Sequence, residues 1–290
     1  MALSGSVFSS KQSKLPLFVQ AGGVMKARLE KVSISLVIPA KNEAENLRHV
    51  LPAIPPLVDE VILVDGHSTD DTINVARQIL PSVRIVEQQG HGKGDALSAG
   101  FAASTGDIIV MLDADGSTDP AEIPRFVESL LAGNDFVKGS RFLKGGKSYD
   151  ITLLRRLGNA VLLATVNLLF PAHCTDLCYG YTAFWRRCLD QVDISCNGFE
   201  VETLMYLRMR KAGLKITEVP SVEHKRIHGA SNLNTFRDGW RVLRTIFAER
   251  FSYIPPLPQP QSLPQSQSLP SLLPSHNAHE RPAEPRKLVL

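Results

Sequence analysis

Asp107-Ile-Ile-Val-Met-Leu112 runs directly into Asp113-Ala-Asp115-Gly116. The unbroken apolar run reads as a strand buried on both faces, the pattern of a parallel sheet. Its exit delivers two carboxylates one residue apart, and in an extended chain residues i and i+2 share a face. Two like charges held that close need a proton or a cation between them. Hard oxygen donors of this kind suit Mg²⁺ or Mn²⁺, whose shells a diphosphate can complete. An isolated Asp-x-Asp-Gly would read more readily as a strand-to-turn corner. The pair is therefore weighed with its surroundings.

Outward from that stretch, strand-like runs cover Ile34 to Pro39, Glu60 to Asp65, Val83 to Glu87, Asp107 to Leu112 and Asp135 to Lys138. Between them, Glu43 to Leu51, Asp70 to Leu80, Gly94 to Ser104 and Pro120 to Leu131 carry apolar residues at helical spacing. Such alternation predicts right-handed βαβ units, hence an α/β, Rossmann-like fold with a mostly parallel sheet flanked by helices. Ligands of these sheets bind beyond the carboxyl ends of the strands. That rule gathers Pro39 to Glu43, Asp65 to Asp70 and Asp113 to Asp119 into one mouth. Three converging acidic strand ends suit a cation or a donor-rich ligand such as a nucleoside.

Composition bounds the alternatives. A chain of 290 residues, 43% hydrophobic, can bury one substantial core plus tails. With 32 basic against 29 acidic residues the balance of +3 is too weak and scattered to point to nucleic acid. Residues 1–31 read as a disordered N-terminal extension, 32–252 as the folded domain, and 253–290, rich in Pro, Ser and Gln, as a disordered tail. Cys174, Cys178, Cys188 and Cys196 read as free thiols of a reducing compartment, since their spacing with His173 fits no common zinc site. Gly90-His-Gly92-Lys93-Gly94 completes neither a P-loop nor Gly-x-Gly-x-x-Gly. It reads as a Gly-rich turn that either faces Lys93 to an anion or serves only as a connector.

Six ordered motifs then add up to a resemblance. Val37-Ile-Pro-Ala-Lys-Asn-Glu43, Val64-Asp65-Gly-His-Ser-Thr-Asp70, Gly92-Lys-Gly-Asp-Ala-Leu97, Asp113-Ala-Asp115, Gly139-Ser-Arg141 and Gly198-Phe-Glu-Val-Glu202 resemble the inverting family 2 glycosyltransferases of GT-A fold. The branch they look most like is the dolichyl- or polyprenyl-phosphate sugar synthases. The resemblance implies a nucleotide-sugar donor, GDP- or UDP-linked, held by Pro39, Ala40, Lys41, Glu43, Leu63, Asp65, Lys93, Asp113, Ala114 and Asp115. It implies Mg²⁺ or Mn²⁺ on Asp113 and Asp115, with Ser117 where some relatives supply a further ligand. Arg141 and Arg226 match the family's cations near the donor phosphates. His67 stands where the family usually carries Gly, and Asn232, after Ser231, replaces a second cation.

The chemistry follows from the donor. Cleaving a sugar nucleotide requires neutralising charge that grows on a departing diphosphate, which a divalent ion does as a Lewis acid and fixed cations assist. A lipid-phosphate acceptor is already anionic and needs no base. A hydroxyl acceptor needs a carboxylate to take its proton, and Glu200 and Glu202, opening a helix over Gly198 to Lys211, are the candidates. Acids are favoured in a helix's first turn whatever the function, so both readings stand for them. Ile151 to Phe170 reads as an amphipathic helix lying in a membrane interface, or as a buried core helix with a similar pattern. The expected protein is a cytoplasmic glycosyltransferase, peripheral on a cytosolic membrane face if the acceptor is a lipid. Trp185, Trp240 and Tyr181 read as packing anchors.

Overall fold

The computed structural model describes residues 32–230 and 233–252. Both terminal segments, together with Ser231 and Asn232, lie outside the described residues. Seven strands form the central sheet: β1 (Ile34–Ala40), β2 (Glu60–Asp65), β3 (Arg84–Glu87), β4 (Ile108–Met111), β5 (Phe136–Ser140), β7 (Thr182–Trp185) and β8 (Ile216–Pro220). Their order is β3-β2-β1-β4-β7-β5-β8. All pairings are parallel except those of β7, which runs antiparallel to both β4 and β5. Two short strands, β6 (Lys147–Ser148) and β9 (Val222–Glu223), pair beside the main sheet.

The helices are α1 (Ala44–Val50), α2 (Thr72–Ile79), α3 (Lys93–Ala103), α4 (Ile123–Leu131), α5 (Leu153–Leu169), α6 (Val201–Lys211) and α7 (Thr235–Phe251). They cover both faces of the sheet, so every residue of β4 is buried and the strand reads as a continuous apolar run. Strand periodicity splits the core in two. Leu36 and Ile38 of β1 pack with Leu47 and Phe126 on one face, while Val37 packs with Leu97, Phe101 and Met205 on the other.

The five strands and the helices read from sequence are present, displaced by up to three residues at their ends. Periodicity does not reveal β6, β7, β8 or β9, and of these β7 bears most on the cavity. Four residues long, it takes its place in the sheet from the pairing of Met111 with Thr182 and Lys138 with Thr182 rather than from its own pattern. Its consequence is local: Gly180, two residues ahead of it, is set against Asp113. Among the described residues, no helix is long and apolar enough to cross a membrane.

Candidate active site

The carboxyl ends of β1, β2 and β4 open into one cavity of about 580 Å³. Its floor carries Pro39, Ala40, Lys41 and Glu43 after β1, Gly66 and His67 after β2, and Asp113, Ala114, Asp115 and Ser117 after β4. Lys93 enters from the start of α3, Arg141 from the end of β5, Glu202 from the first turn of α6, and Arg226 from the segment after β9. Residues of α5 and α7 form the opposite wall.

Strand ends are chain termini of rigid elements, and here their loops are tied to one another. Asn42, with a positive φ of 58°, donates its backbone N–H to Ser68 Oγ at 2.9 Å. Its side-chain oxygen accepts the Thr69 N–H at 2.7 Å. His67 also sits at positive φ, 61°, a conformation costly for a residue with a Cβ. The turn before α3 is fixed by close backbone approach: at Gly92, φ 91°, a Cβ would lie 1.9 Å from the Asn197 carbonyl oxygen. That contact joins the turn before Lys93 to the loop that leads into α6 and Glu202.

Charge in the floor is arranged in shared pairs. Lys93 Nζ lies 2.6 Å from Asp113 Oδ1 and 2.7 Å from Glu202 Oε1. Burial alone would depress the Lys93 ammonium, but the two carboxylates outweigh it and hold the group above its ordinary value. Arg226 reaches Asp115 Oδ2 at 2.7 Å and Glu43 Oε1 at 3.0 Å. Burial pushes the Glu43 carboxyl up, against the opposing pull of Asn46 and Arg226. Arg141 is held on two sides, by Asp176 at 2.7 Å and 2.9 Å and by Glu223 at 3.0 Å. Its partners also raise it above the ordinary range in spite of burial.

The structure corrects four sequence readings. Leu63 is fully buried in the core under β2 and does not line the cavity. The alternation of strand side chains explains it: Ile62 and Val64 turn to one face of the sheet, and Leu63 turns to the other, where it packs among Leu36 and Ile38. Asp65 lies beneath the floor, where its Oδ2 accepts the Ser68 N–H and its buried Oδ1 has no partner among the described residues. Glu200 is the N-terminal cap position of α6 and faces a separate surface pocket beside Arg241, so only Glu202 of the two acids reaches the cavity. Trp240 is 70% exposed and anchors nothing, whereas Tyr181 is fully buried and stacks on Phe126 with centroids 4.3 Å apart. The cysteines are free, as expected, and burial pushes the Cys178 and Cys196 thiols up to about 12.

Sequence reasoning missed Asp176 and Glu223, the acids that fix Arg141, and the whole of α7 as a cavity wall. Neither acid stands in a motif. Only the recurrence of acids opposite a buried Arg could have suggested them. Among the described residues, no group of three His, Cys, Asp or Glu side chains gathers in a metal-holding arrangement. Asp113 and Asp115 nevertheless fit a divalent ion, because Mg²⁺ and Mn²⁺ are commonly held by one or two carboxylates with substrate phosphates and water completing the shell.

The comparisons agree with this geometry. The family model described as glycosyl transferase family 2 matches residues 35–193. A dolichyl-phosphate hexose transferase of Haloferax volcanii is 30% identical over 217 residues, 73% of this chain and 92% of that protein. A dolichol-phosphate mannosyltransferase of Pyrococcus furiosus is 29% identical over 211 residues, 70% of this chain but only 59% of that longer protein. Among solved structures, glucosyl-3-phosphoglycerate synthase from Mycobacterium tuberculosis, in complex with Mn²⁺, UDP-glucose and glycerol 3-phosphate, superposes with a TM-score of 0.64 at 28% identity. The likeness covers 78% of this chain and 83% of that one. With this sheet, this strand-end cavity and this match over more than half its length, the chain belongs to glycosyl transferase family 2, with the GT-A fold.

Proposed function

We propose that this glycosyltransferase moves a hexose, with inversion, from a nucleoside diphosphate sugar to a polyprenyl-type lipid phosphate. Asp113 and Asp115 would hold Mg²⁺ or Mn²⁺, which supplies Lewis-acid neutralisation of the departing diphosphate when bound. Lys93 and Arg226, already against those acids, lie within reach of the same phosphates and add preorganised positive charge. Pro39, Lys41 and Glu43, which line the floor after β1, would receive the nucleoside. Arg141, locked by Asp176 and Glu223, keeps a fixed guanidinium at the cavity wall without needing to reorganise during reaction.

The observation that carries the acceptor assignment is the cavity's outer wall. One face of α5, through Arg155, Gly158, Asn159 and Leu162, lines the cavity beside Thr235, Asp238 and Val242 of α7. The opposite side of the same two helices is apolar and exposed: Leu153 84%, Leu157 64%, Phe236 76%, Trp240 70% and Phe251 82%. Arg156, Arg237, Arg244 and Arg250 are exposed on the same two helices. An apolar face accompanied by exposed arginine is the form of a helix lying in a headgroup layer. A lipid tail would leave the cavity between the helices while the phosphate stays near Lys93 and Arg226. The names of the Haloferax and Pyrococcus relatives support the same acceptor class.

A second reading rests on the mycobacterial neighbour, which was crystallised with a small soluble phosphate. A lipid phosphate attacks through an oxygen that is already anionic and requires no base, whereas a phosphate ester such as glycerol 3-phosphate attacks through a hydroxyl whose proton must be taken up. A hydroxyl acceptor would instead make Glu202 essential as the proton acceptor. The deciding experiment supplies radiolabelled UDP- or GDP-hexose with polyprenyl phosphate or with phosphoglycerate and glycerol phosphate. Label moving into the organic phase is the expected result. Label that stays in the aqueous product with polyprenyl phosphate ignored would refute the lipid assignment.

A further inference from the structure

Two carboxylate–cation–carboxylate triads lie side by side in the cavity floor. Lys93 joins Asp113 to Glu202 at 2.6 and 2.7 Å, and Arg226 joins Asp115 to Glu43 at 2.7 and 3.0 Å. Each acid of the Asp113-Ala-Asp115 pair therefore already holds a cation, and each cation is shared with a second, buried acid. Four carboxylates against two cations leave a formal charge of −2, which matches one divalent ion. The first triad is also tightly enclosed. A Cβ at Gly180 would lie 2.9 Å from both Asp113 Oδ2 and Lys93 Nζ.

We propose that Lys93 and Arg226 act as a displaceable latch on the metal site, occupying Asp113 and Asp115 until a nucleoside diphosphate draws them away. Divalent metal and nucleotide then bind as a coupled pair, and metal alone binds weakly. The inference rests on the reading of Asp113 and Asp115 as the metal-holding acids.

Charge pairing gives the reason. Metal arriving alone must compete with an ammonium and a guanidinium at contact distance, and the displaced cations would have only Glu202 and Glu43 left to pair with. A diphosphate arriving alone would take Lys93 and Arg226 but leave Asp113 and Asp115 facing each other and the ligand's own charge. When both arrive, each cation exchanges one anion for another, the metal takes the two vacated acids, and no buried charge is left without a partner. Coupling of this kind is reciprocal, so metal must strengthen nucleotide binding by the same factor that nucleotide strengthens metal binding. Couplings between sites commonly span about 5- to 150-fold, and exchange of two contact pairs places this one at about tenfold or more.

The test is isothermal titration of the whole protein with Mn²⁺ alone, and with Mn²⁺ in the presence of saturating UDP or GDP. Two charge-balanced double variants accompany it: Lys93→Met with Glu202→Gln, and Arg226→Met with Glu43→Gln. Each removes a latch cation together with its second acid, so that no buried carboxylate is orphaned, and either one suffices if the other does not fold. The native protein should bind Mn²⁺ at least about tenfold more tightly with nucleotide than without it. Either double variant should bind Mn²⁺ alone more tightly than the native protein does, with the coupling reduced. Equal Mn²⁺ affinity with and without nucleotide, or unchanged Mn²⁺ affinity in the folded variants, would overturn the latch while leaving the acids as metal holders. Absence of Mn²⁺ binding even with nucleotide would overturn the assignment of Asp113 and Asp115 and the latch with it.

Discussion

Asp115 and Asp119 stand four residues apart, yet they meet different neighbours. Asp115 gives one oxygen to the Ser117 N–H at 2.9 Å and the other to Arg226, at the cavity floor. Asp119 turns away and caps the short turn at Pro120 by accepting the Ala121 N–H. Asp115→Ala should lower nucleoside diphosphate release by about 100-fold or more, the scale of losing one preorganised charge contact at a reacting centre. Asp119→Ala should leave release nearly intact and cost only about 1 kcal/mol of stability through the lost cap. Equal losses of release in the two variants would show that the wrong acids have been assigned.

Glu43 gives a residue-scale test that needs no substrate. Burial raises its carboxyl above the ordinary carboxylate range, so the ionised form opposes folding. That cost is absent in acid and appears as pH rises through the raised value. Glu43→Gln should therefore melt above the native protein at about pH 7 and converge with it at about pH 4, as followed by circular dichroism. A variant that melts lower at neutral pH would show instead that the Arg226 pairing outweighs burial. At this scale the sequence was informative where chemistry is local. Asp113 and Asp115 declare themselves because strand geometry puts neighbouring acids on one face. The partners Glu202 and Arg226 lie far along the chain, and only the fold brings them to Lys93 and Asp115.

At the scale of elements, the proposed lipid acceptor rests on α5 and α7. Thr152 caps the start of α5 and Asn234 that of α7, each by accepting a backbone N–H three residues on. Glu249, near the end of α7, ties the helix back to α6 through Arg208 at 2.9 Å and Lys211 at 3.0 Å. The helices are thus held from the inside while their outer apolar residues have no protein cover among the described residues. Fully burying a large apolar side chain is worth about 1.5–3 kcal/mol. Replacing Phe236 and Trp240 by Ser should therefore weaken binding to anionic phospholipid vesicles by at least about tenfold in a flotation assay, with little change in melting temperature. Unchanged flotation would remove the membrane face from the account. The amphipathic pattern of Ile151 to Phe170 was legible beforehand, but whether its apolar stripe faced core or solvent was not, since both give one periodicity. Leu162 and Val166 turned out buried and Leu157 and Val161 exposed, and Trp240 lay outside the core altogether.

For the molecule as a whole, alternation of strands and helices was enough to specify a parallel sheet and the end at which ligand sits. It could not reveal β7, because four residues paired antiparallel between β4 and β5 carry no periodic signature of their own. That insertion matters beyond topology: it sets Gly180 against the Asp113–Lys93 contact and so shapes the cavity floor. The central claim is that a divalent ion on Asp113 and Asp115 takes up the charge of the departing nucleotide. The direct measurement is release of UDP or GDP from the matching nucleotide hexose by protein stripped with excess chelator and then resupplied with Mn²⁺ or Mg²⁺. The account predicts release near background in chelator and its recovery on adding metal, with Asp115→Ala failing to recover. Undiminished release in excess chelator would contradict it.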